Sequence, residues 1–358
     1  MAQDYIFSSP SNYVQGKHEL FHSFSFVKPL GDRIILLIPK DLLEAVGRTY
    51  VDYLESHQLS VKVIETNNNN QFSLTRIQYE IELGQADQVD LVIGLGNGHI
   101  MNLARRVADQ LPAKLMLVPT IATSHLLYFK SAQKFYRRAA DLILVDTQLI
   151  ANSPKTGLAS GIGNALAASV EAQAVSRDVN RVQPAWLSLT IADRCEQILF
   201  NYGLPAVIAA EHNLDTVALD NVIEAAVLMS GISFSNGSLS VAHAICDGIW
   251  ILGYKIHRTY GEVVSFGILA QLILEGATKK QYDRFLRFEL KLNFPTTFKA
   301  LGLLKVSDGT LKRIAKATVA SRAIQNVPGR VTVDEIIQAL ESADAYDRYY
   351  CRKHRNRN

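Results

Sequence analysis

Cysteine is scarce in this 358-residue chain, with only Cys195, Cys246 and Cys351. So few and so scattered, they exclude a disulfide framework and suit a reducing cytoplasm, where we expect the protein to reside. Long apolar runs are missing too. None approaches the ~18 residues that span a bilayer, so no membrane partner is expected. The opening Met1-Ala2-Gln3-Asp4-Tyr5 has neither a basic region nor an apolar stretch, so no secretory leader is expected. A strong charge of one sign is also lacking. The net charge is +3, and the last eleven residues hold five basic side chains (Arg348, Arg352, Lys353, Arg355 and Arg357) and no acid. Taking those five from the 37 Lys and Arg leaves 32 against 34 acidic residues, a body at −2. A nucleic-acid binder carries a basic face on its folded body, so no nucleic-acid partner is expected. The basic tail reads as a solvated terminus.

What is present is material for a deep core. The chain is 48% hydrophobic and longer than one core usually organises, so two domains with a cleft between them are the expectation. The first ~150 residues alternate β-branched runs with amphipathic stretches, the pattern of a βαβ array. Candidate strands are Arg33–Ile38, Ser60–Glu65, Asp90–Gly94, Lys114–Pro119 and Leu142–Asp146. They are apolar almost throughout, as strands buried on both faces of a parallel sheet must be. Candidate helices between them are Asp41–His57, Ser73–Leu83 and His99–Gln110, and Asn67–Asn70 reads as a polar loop.

After Asp146 the strand signals almost vanish. Ser153 reads as a helix N-cap, with Pro154 at the first helical position. Helical periodicity follows in Ala165–Ser176, Leu187–Phe200, Leu219–Met229, Ser240–Trp250 and Val263–Leu274. The expected organisation is an α/β dinucleotide-binding domain over 1–152 and an all-helical domain over 153–358.

Leu91-Val92-Ile93-Gly94-Leu95-Gly96-Asn97-Gly98-His99 reads as a strand, a glycine-rich turn and the start of a helix. Glycines let a backbone approach a diphosphate, and the helix N-terminus offers unpaired N–H groups. The G-x-G-x-x-G fingerprint is not met, because His99 stands in the third glycine's place. A second turn, Val118-Pro119-Thr120-Ile121-Ala122-Thr123-Ser124-His125, also follows a strand, at the carboxyl edge where open parallel sheets bind ligands. Thr120, Thr123 and Ser124 carry hydroxyls suited to phosphate or ribose. The bland alternative is a turn that satisfies its own backbone.

The order of segments resembles the glycerol dehydrogenase branch of the iron-containing alcohol dehydrogenase family. Ser9-Pro10, Tyr13-Val14-Gln15-Gly16 and Lys28-Pro29-Leu30-Gly31 are similar to its opening, and the two turns to its NAD-binding loops. Gly161-Ile162-Gly163-Asn164-Ala165-Leu166-Ala167, Ala242-His243-Ala244, Gly261–Gly267 and Val327-Pro328-Gly329 follow in the family's order. The resemblance implies a Rossmann-like parallel-sheet domain and then a helical domain. It also implies NAD(H), a divalent zinc or iron held in the cleft by one Asp and two His, a small alcohol, polyol or ketone as substrate, and a homo-oligomer. Carried over by position, the metal Asp falls on Asn164, the first His on His243 and the second on Tyr260. One ligand of three is kept, and a neutral tyrosine is a poor ligand. Further family positions are also changed. The family's Lys, Thr and Asp after the glycine turn are His99, Ile100 and Asn102, its polyol-holding Asp is His125, and a ribose acid falls near Pro39.

A rebuilt site is conceivable. His243 and Cys246 share a helical face, and His257 precedes Tyr260 by three residues, so the three would make an acceptable zinc set. The bland reading of the same stripe is a core histidine beside a buried thiol. Proton transfer without a metal, by His125, Tyr260 or His257, is the other route. Two functions compete: an NAD-dependent polyol or alcohol oxidoreductase with an altered site, and a non-catalytic relative that keeps nucleotide or partner binding. A cyclising lyase of the dehydroquinate synthase type is a distant third.

Overall fold

The computed structural model describes residues 7, 9–66, 79, 88–122, 130–131, 134–135, 139–176, 186–236, 239–251, 253, 256–304, 306–327 and 329–355. The amino-terminal part contains β1 (Tyr13–Gly16), β2 (Arg33–Pro39), β3 (Ser60–Thr66), β4 (Leu91–Gly96), β5 (Lys114–Pro119), the two-residue β6 (Lys130–Ser131) and β7 (Lys134–Phe135), and β8 (Leu142–Asp146). Six of these form one parallel sheet in the order β1-β8-β5-β4-β2-β3, while β6 and β7 pair separately and antiparallel. The chain runs from β2 outward to β3 and then returns to place β4 on the other side of β2. That reversal puts a topological switch point between the carboxyl ends of β2 and β4.

The strands lie where their apolar runs put them, within about two residues. Their side chains alternate strictly between two cores. Ile34, Leu36 and Ile38 of β2, with Leu91, Ile93 and Leu95 of β4, face Leu20, Val27, Tyr50 and Leu54. Ile35, Leu37, Val92, Leu115 and Leu117 face the other side, in a core continuous with the helical domain. This period of two is what a strand buried on both faces requires. Besides the two-residue β6 and β7, one strand of the main sheet escapes sequence reading: β1 has four half-buried residues and no apolar run, and its parallel partner β8 supplies its ladder.

Flanking the sheet are a helical stretch from Lys40 through a π-turn at Leu43–Gly47 into α1 (Arg48–Ser56), and α2 (Gly98–Gln110). Apart from Tyr79, the candidate helix over 73–83 lies outside the described residues, as does Asn67–Asn70. After Asp146 no strand occurs among the described residues. A short helix, Thr147–Ala151, leads into α3 (Lys155–Val175), α4 (Trp186–Glu211), α5 (Val217–Glu224), α6 (Ser230–Asn236), α7 (Val241–Trp250), α8 (Tyr260–Leu274), α9 (Lys279–Lys291), α10 (Asp308–Ala320) and α11 (Val333–Arg355). The molecule is thus a Rossmann-like parallel-sheet domain followed by a mostly helical one.

Two local expectations are corrected. Ser153 does not cap α3; Pro154 occupies the N-cap position without a side-chain bond. The Ser153 hydroxyl instead donates to the carbonyls of Thr120 and Leu149, tying the helix start to the turn after β5. The helix expected over Leu187–Phe200 runs on to Glu211 through Pro205. A proline removes one backbone bond and reads as a breaker, but the helix continues past it.

One helical run, Val217–Ser235, joins α5 through a π-turn (Ala225–Met229) to α6 and is long and apolar enough to cross a membrane by length and composition. More than half of its apolar window, 56%, is buried in the fold, as for the core helix of a folded domain. It also carries Asp220 and Glu224.

Candidate active site

The glycine turn lies at the switch point. Gly96 has φ +157°, and a Cβ there would meet the Ile100 side chain at 2.8 Å, so no larger residue fits between strand end and helix. Asn97 caps α2, its side-chain oxygen accepting from His99 N (3.0 Å) and Ile100 N (3.4 Å). The side chain of Asn97 is therefore engaged in the cap. Thr120 N donates to Gly96 O at 3.0 Å and so fastens the second turn to the first. Thr123, Ser124 and His125 lie outside the described residues.

From these turns α3 crosses to the helical domain at very close range. A Cβ on Gly161 would stand 1.7 Å from Ala122 O. One on Gly163 would stand 2.2 Å from Gly261 O, and one on Gly261 1.9 Å from Ser160 O. Backbone contact at this distance is open only to glycine. It brings Asn164 of α3 into the seam where β5's turn, α3 and the start of α8 meet. Asn164 is 4% exposed and its Oδ1 has no hydrogen-bond partner.

Two turns further along the same face of α3 lies Glu171, fully buried. Its Oε1 accepts the backbone N–H groups of Ser240 (2.9 Å) and His243 (3.0 Å), capping α7, and its Oε2 stands 2.6 Å from His243 Nδ1. A carboxylate that already accepts two backbone protons takes a third from the ring. Nδ1–H therefore donates to Glu171 and Nε2 is the remaining acceptor.

Tyr260 opens α8, its ring centroid 6.2 Å from that of His243 and stacked 6.5 Å from that of Trp250. Its hydroxyl donates to Asp247 Oδ1 at 3.0 Å, and Asp247 Oδ2 accepts Ser321 Oγ at 3.1 Å. Burial first, then the nearby Cys246 and Asp247, push the phenol well above its ordinary value. Cys246 is buried, its thiol directed at Tyr260 O (3.7 Å) and likewise pushed up by burial. The Thr259–Glu262 capping box, with Arg258 on Glu262 at 2.9 Å, fixes the start of α8. His257 just before it is exposed.

These residues do not fit a divalent ion. Asn164 is neutral, the Tyr260 hydroxyl is committed to Asp247, and the Cys246 thiol is held in its neutral form. Among the described residues no three His, Cys, Asp or Glu groups converge as a metal site, so His243, Cys246 and His257 do not form one. What survives is the carboxylate–histidine pair that elsewhere orients a metal-bound imidazole. Glu171, Asp247 and Ser321 were not singled out by the sequence. Glu171 had a visible signal, as the only charge in the apolar stretch after Lys155, seven residues from Asn164.

Residues 10–161 match the iron-containing alcohol dehydrogenase family. Over 96% of its length the chain is 30% identical to glycerol dehydrogenase 1 of Schizosaccharomyces pombe, covering 80% of that protein. It is also 30% identical to a glycolaldehyde reductase of Halobacterium salinarum, covering 96% of this chain and 98% of that one. The crystal structure of the Schizosaccharomyces pombe glycerol dehydrogenase superposes with a TM-score of 0.89 at 28% identity, covering 98% of this chain and 93% of that one. With the shared fold, the shared segment order and the altered ligand positions all in place, the chain belongs to the iron-containing alcohol dehydrogenase family, close to the glycerol dehydrogenases, and lacks an intact metal-ligand set among its described residues.

Proposed function

We propose that the protein is an NAD(H)-linked oxidoreductase that interconverts a small alcohol or polyol with its ketone or aldehyde, and that its proton chemistry rests on side chains in place of a divalent ion. The observation that carries this reading is the buried Glu171–His243 pair at the inherited metal position, with Nδ1 held at 2.6 Å and Nε2 left as an acceptor. The turn Gly94, Gly96, Asn97 and Gly98, with Thr120, Thr123 and Ser124, would hold the dinucleotide. The glycine turn at the N-terminus of α2 suits its phosphates. When bound, that cofactor supplies the hydride acceptor or donor. His243 then takes the hydroxyl proton at Nε2 in oxidation and returns it in reduction, while Glu171 keeps the ring in the required tautomer. Tyr260 positions the wall of the site through Asp247. His125 and His257 remain candidates for relaying the proton outward. A cytoplasmic homo-oligomer belongs to the same proposal, on the family resemblance.

The second reading is a non-catalytic relative that binds nucleotide or a partner. It is favoured by the loss of charge at Asn164 and the engagement of Tyr260. A screen of NADH oxidation over hydroxyketones, aldehydes and ketones, with NADH binding measured alongside, separates the two. Turnover above about 0.1 per second supports the enzyme, on the scale of typical enzymes at 1–1000 per second. NADH binding without turnover of any substrate supports the relative.

A further inference from the structure

Apart from the site just described, a solvent-open cleft of about 320 Å³ lies between α3, α4, the end of α8 and the start of α9. Its volume falls at the lower end of the range, about 300–1000 Å³, that takes small molecules. Val170 and Gln173 reach it from α3, on the side of that helix turned away from Asn164 and Glu171. The floor is apolar, formed by the buried Val170, Leu272 and Phe285.

The walls are charged, and one ion pair is built in. Glu196 of α4, 8% exposed, accepts from Arg284 Nη1 of α9 at 2.8 Å, and that guanidinium lies 3.8 Å from the centroid of the Phe200 ring. Burial pushes the Glu196 carboxyl above its ordinary value even beside Arg284, a partial desolvation of the kind ligand sites share. Two charges are left over. Asp193 on α4 and Lys280 in the first turn of α9 line the cleft, are exposed and form no ion pair among the described residues. Glu275, exposed at the end of α8, adds a second acid. An ammonium ligand would answer the acids and leave Lys280 unpaired, and a carboxylate ligand would do the reverse. A molecule with both charges answers both, and the floor accepts an apolar side chain.

We propose that this cleft is an effector site for a small aliphatic amino acid, with its ammonium toward Asp193 and Glu275 and its carboxylate toward Lys280. The dipole of α9 also favours an anion at that helix's first turn. Exposed charges each contribute little, so millimolar affinity is expected. The route to the rest of the molecule runs through Glu275. Its Oε1 accepts from Gln271 Nε2 at 2.6 Å, and Gln271 Oε1 accepts from Ala242 N (3.0 Å) and Ser240 Oγ (3.4 Å). These groups open α7, the helix that Glu171 caps and that carries His243. A ligand that binds more tightly when Glu275 turns to its ammonium therefore biases the start of α7.

The probe is L-leucine, titrated calorimetrically into the full-length protein. 4-Methylpentanoate, which lacks the ammonium, and 3-methylbutylamine, which lacks the carboxylate, are the controls. Leucine is expected to bind saturably and at least tenfold more tightly than either. Lys280→Ala is expected to lose at least fivefold in leucine affinity with 3-methylbutylamine unchanged, and Asp193→Ala to lose as much with 4-methylpentanoate unchanged. Both side chains are exposed, so the fold should tolerate their loss. The link to α7 is read from Trp250, in its last turn, after the 85% exposed Trp186, the other tryptophan, is replaced as Trp186→Phe. Trp250 emission should change along the calorimetric binding curve. The inference is overturned if leucine does not bind, if either control binds as tightly, or if both single variants bind leucine like the wild type. It is equally overturned if leucine binds while Trp250 emission stays constant, since the cleft would then have no effect on α7. None of these readouts depends on turnover.

Discussion

Glu171 on α3 and His243 on α7 meet at 2.6 Å inside the helical domain, and the same carboxylate caps the helix that carries the histidine. One buried acid thus sets both the direction of α7 and the tautomer of the ring. Glu171→Gln keeps one acceptor but removes the charge. It is expected to lower kcat by about 10²-fold or more, on the usual scale of proton-transfer assistance, with NADH affinity within twofold. Glu171→Ala leaves the ring and two N–H groups unpaired and should cost about 3 kcal/mol of stability. A kcat within threefold of wild type in Glu171→Gln would remove His243 from the chemistry.

Tyr260→Phe deletes only the hydroxyl bonded to Asp247. Asp247 keeps its bond from Ser321, so the cost should be about 1 kcal/mol. Because the phenol is held well above its ordinary value by burial, turnover is expected to stay within about fivefold. A loss beyond a hundredfold, with the fold intact by circular dichroism, would make Tyr260 the proton donor instead.

The paired change Asn164→Asp with Tyr260→His restores the family's ligand types around His243. Zinc affinity should rise at least a hundredfold over wild type in a competition assay with a coloured chelator, since two strong ligands replace two poor ones. No gain would mean that the seam between α3 and α8 has closed around the new side chains.

Glu289 on α9 offers a stability test far from the cleft. It is fully buried, neither oxygen has a partner, and burial, with Asp347 nearby, holds its carboxyl well above the ordinary range. The native state therefore keeps a proton that the unfolded chain releases. That stabilisation is full below the unfolded carboxylate value of about 4.3 and drains away as pH rises toward the raised native value. Glu289→Gln removes the titration, so its melting temperature should gain on wild type by a few degrees between pH 5 and pH 8. A constant difference across that range would show that Glu289 does not titrate in the fold.

Much of the fold could be read from the sequence, because buried parallel strands must be apolar and helices must be periodic. Arg33–Pro39 and Leu142–Asp146 show the first, and α8, apolar on every side, shows a helix buried all round. What was hidden depended on partners distant in sequence. β1 is a strand only because β8 lies beside it, and Ser153 looked like a cap until Thr120 claimed its hydroxyl. At the site, the substituted positions Asn164 and Tyr260 were visible, but their consequences were not. Asp247 engages Tyr260 from thirteen residues away and Glu171 engages His243 from seventy-two. Neither distance has a sequence pattern.

The most direct measurement is elemental analysis of protein purified without added metal, combined with NADH-dependent reduction of dihydroxyacetone and glycolaldehyde before and after exhaustive chelation. We expect zinc and iron well below one per chain and a rate that chelation leaves unchanged. About one tightly held metal per chain, with activity lost on its removal and restored on its return, would contradict a site run by Glu171 and His243.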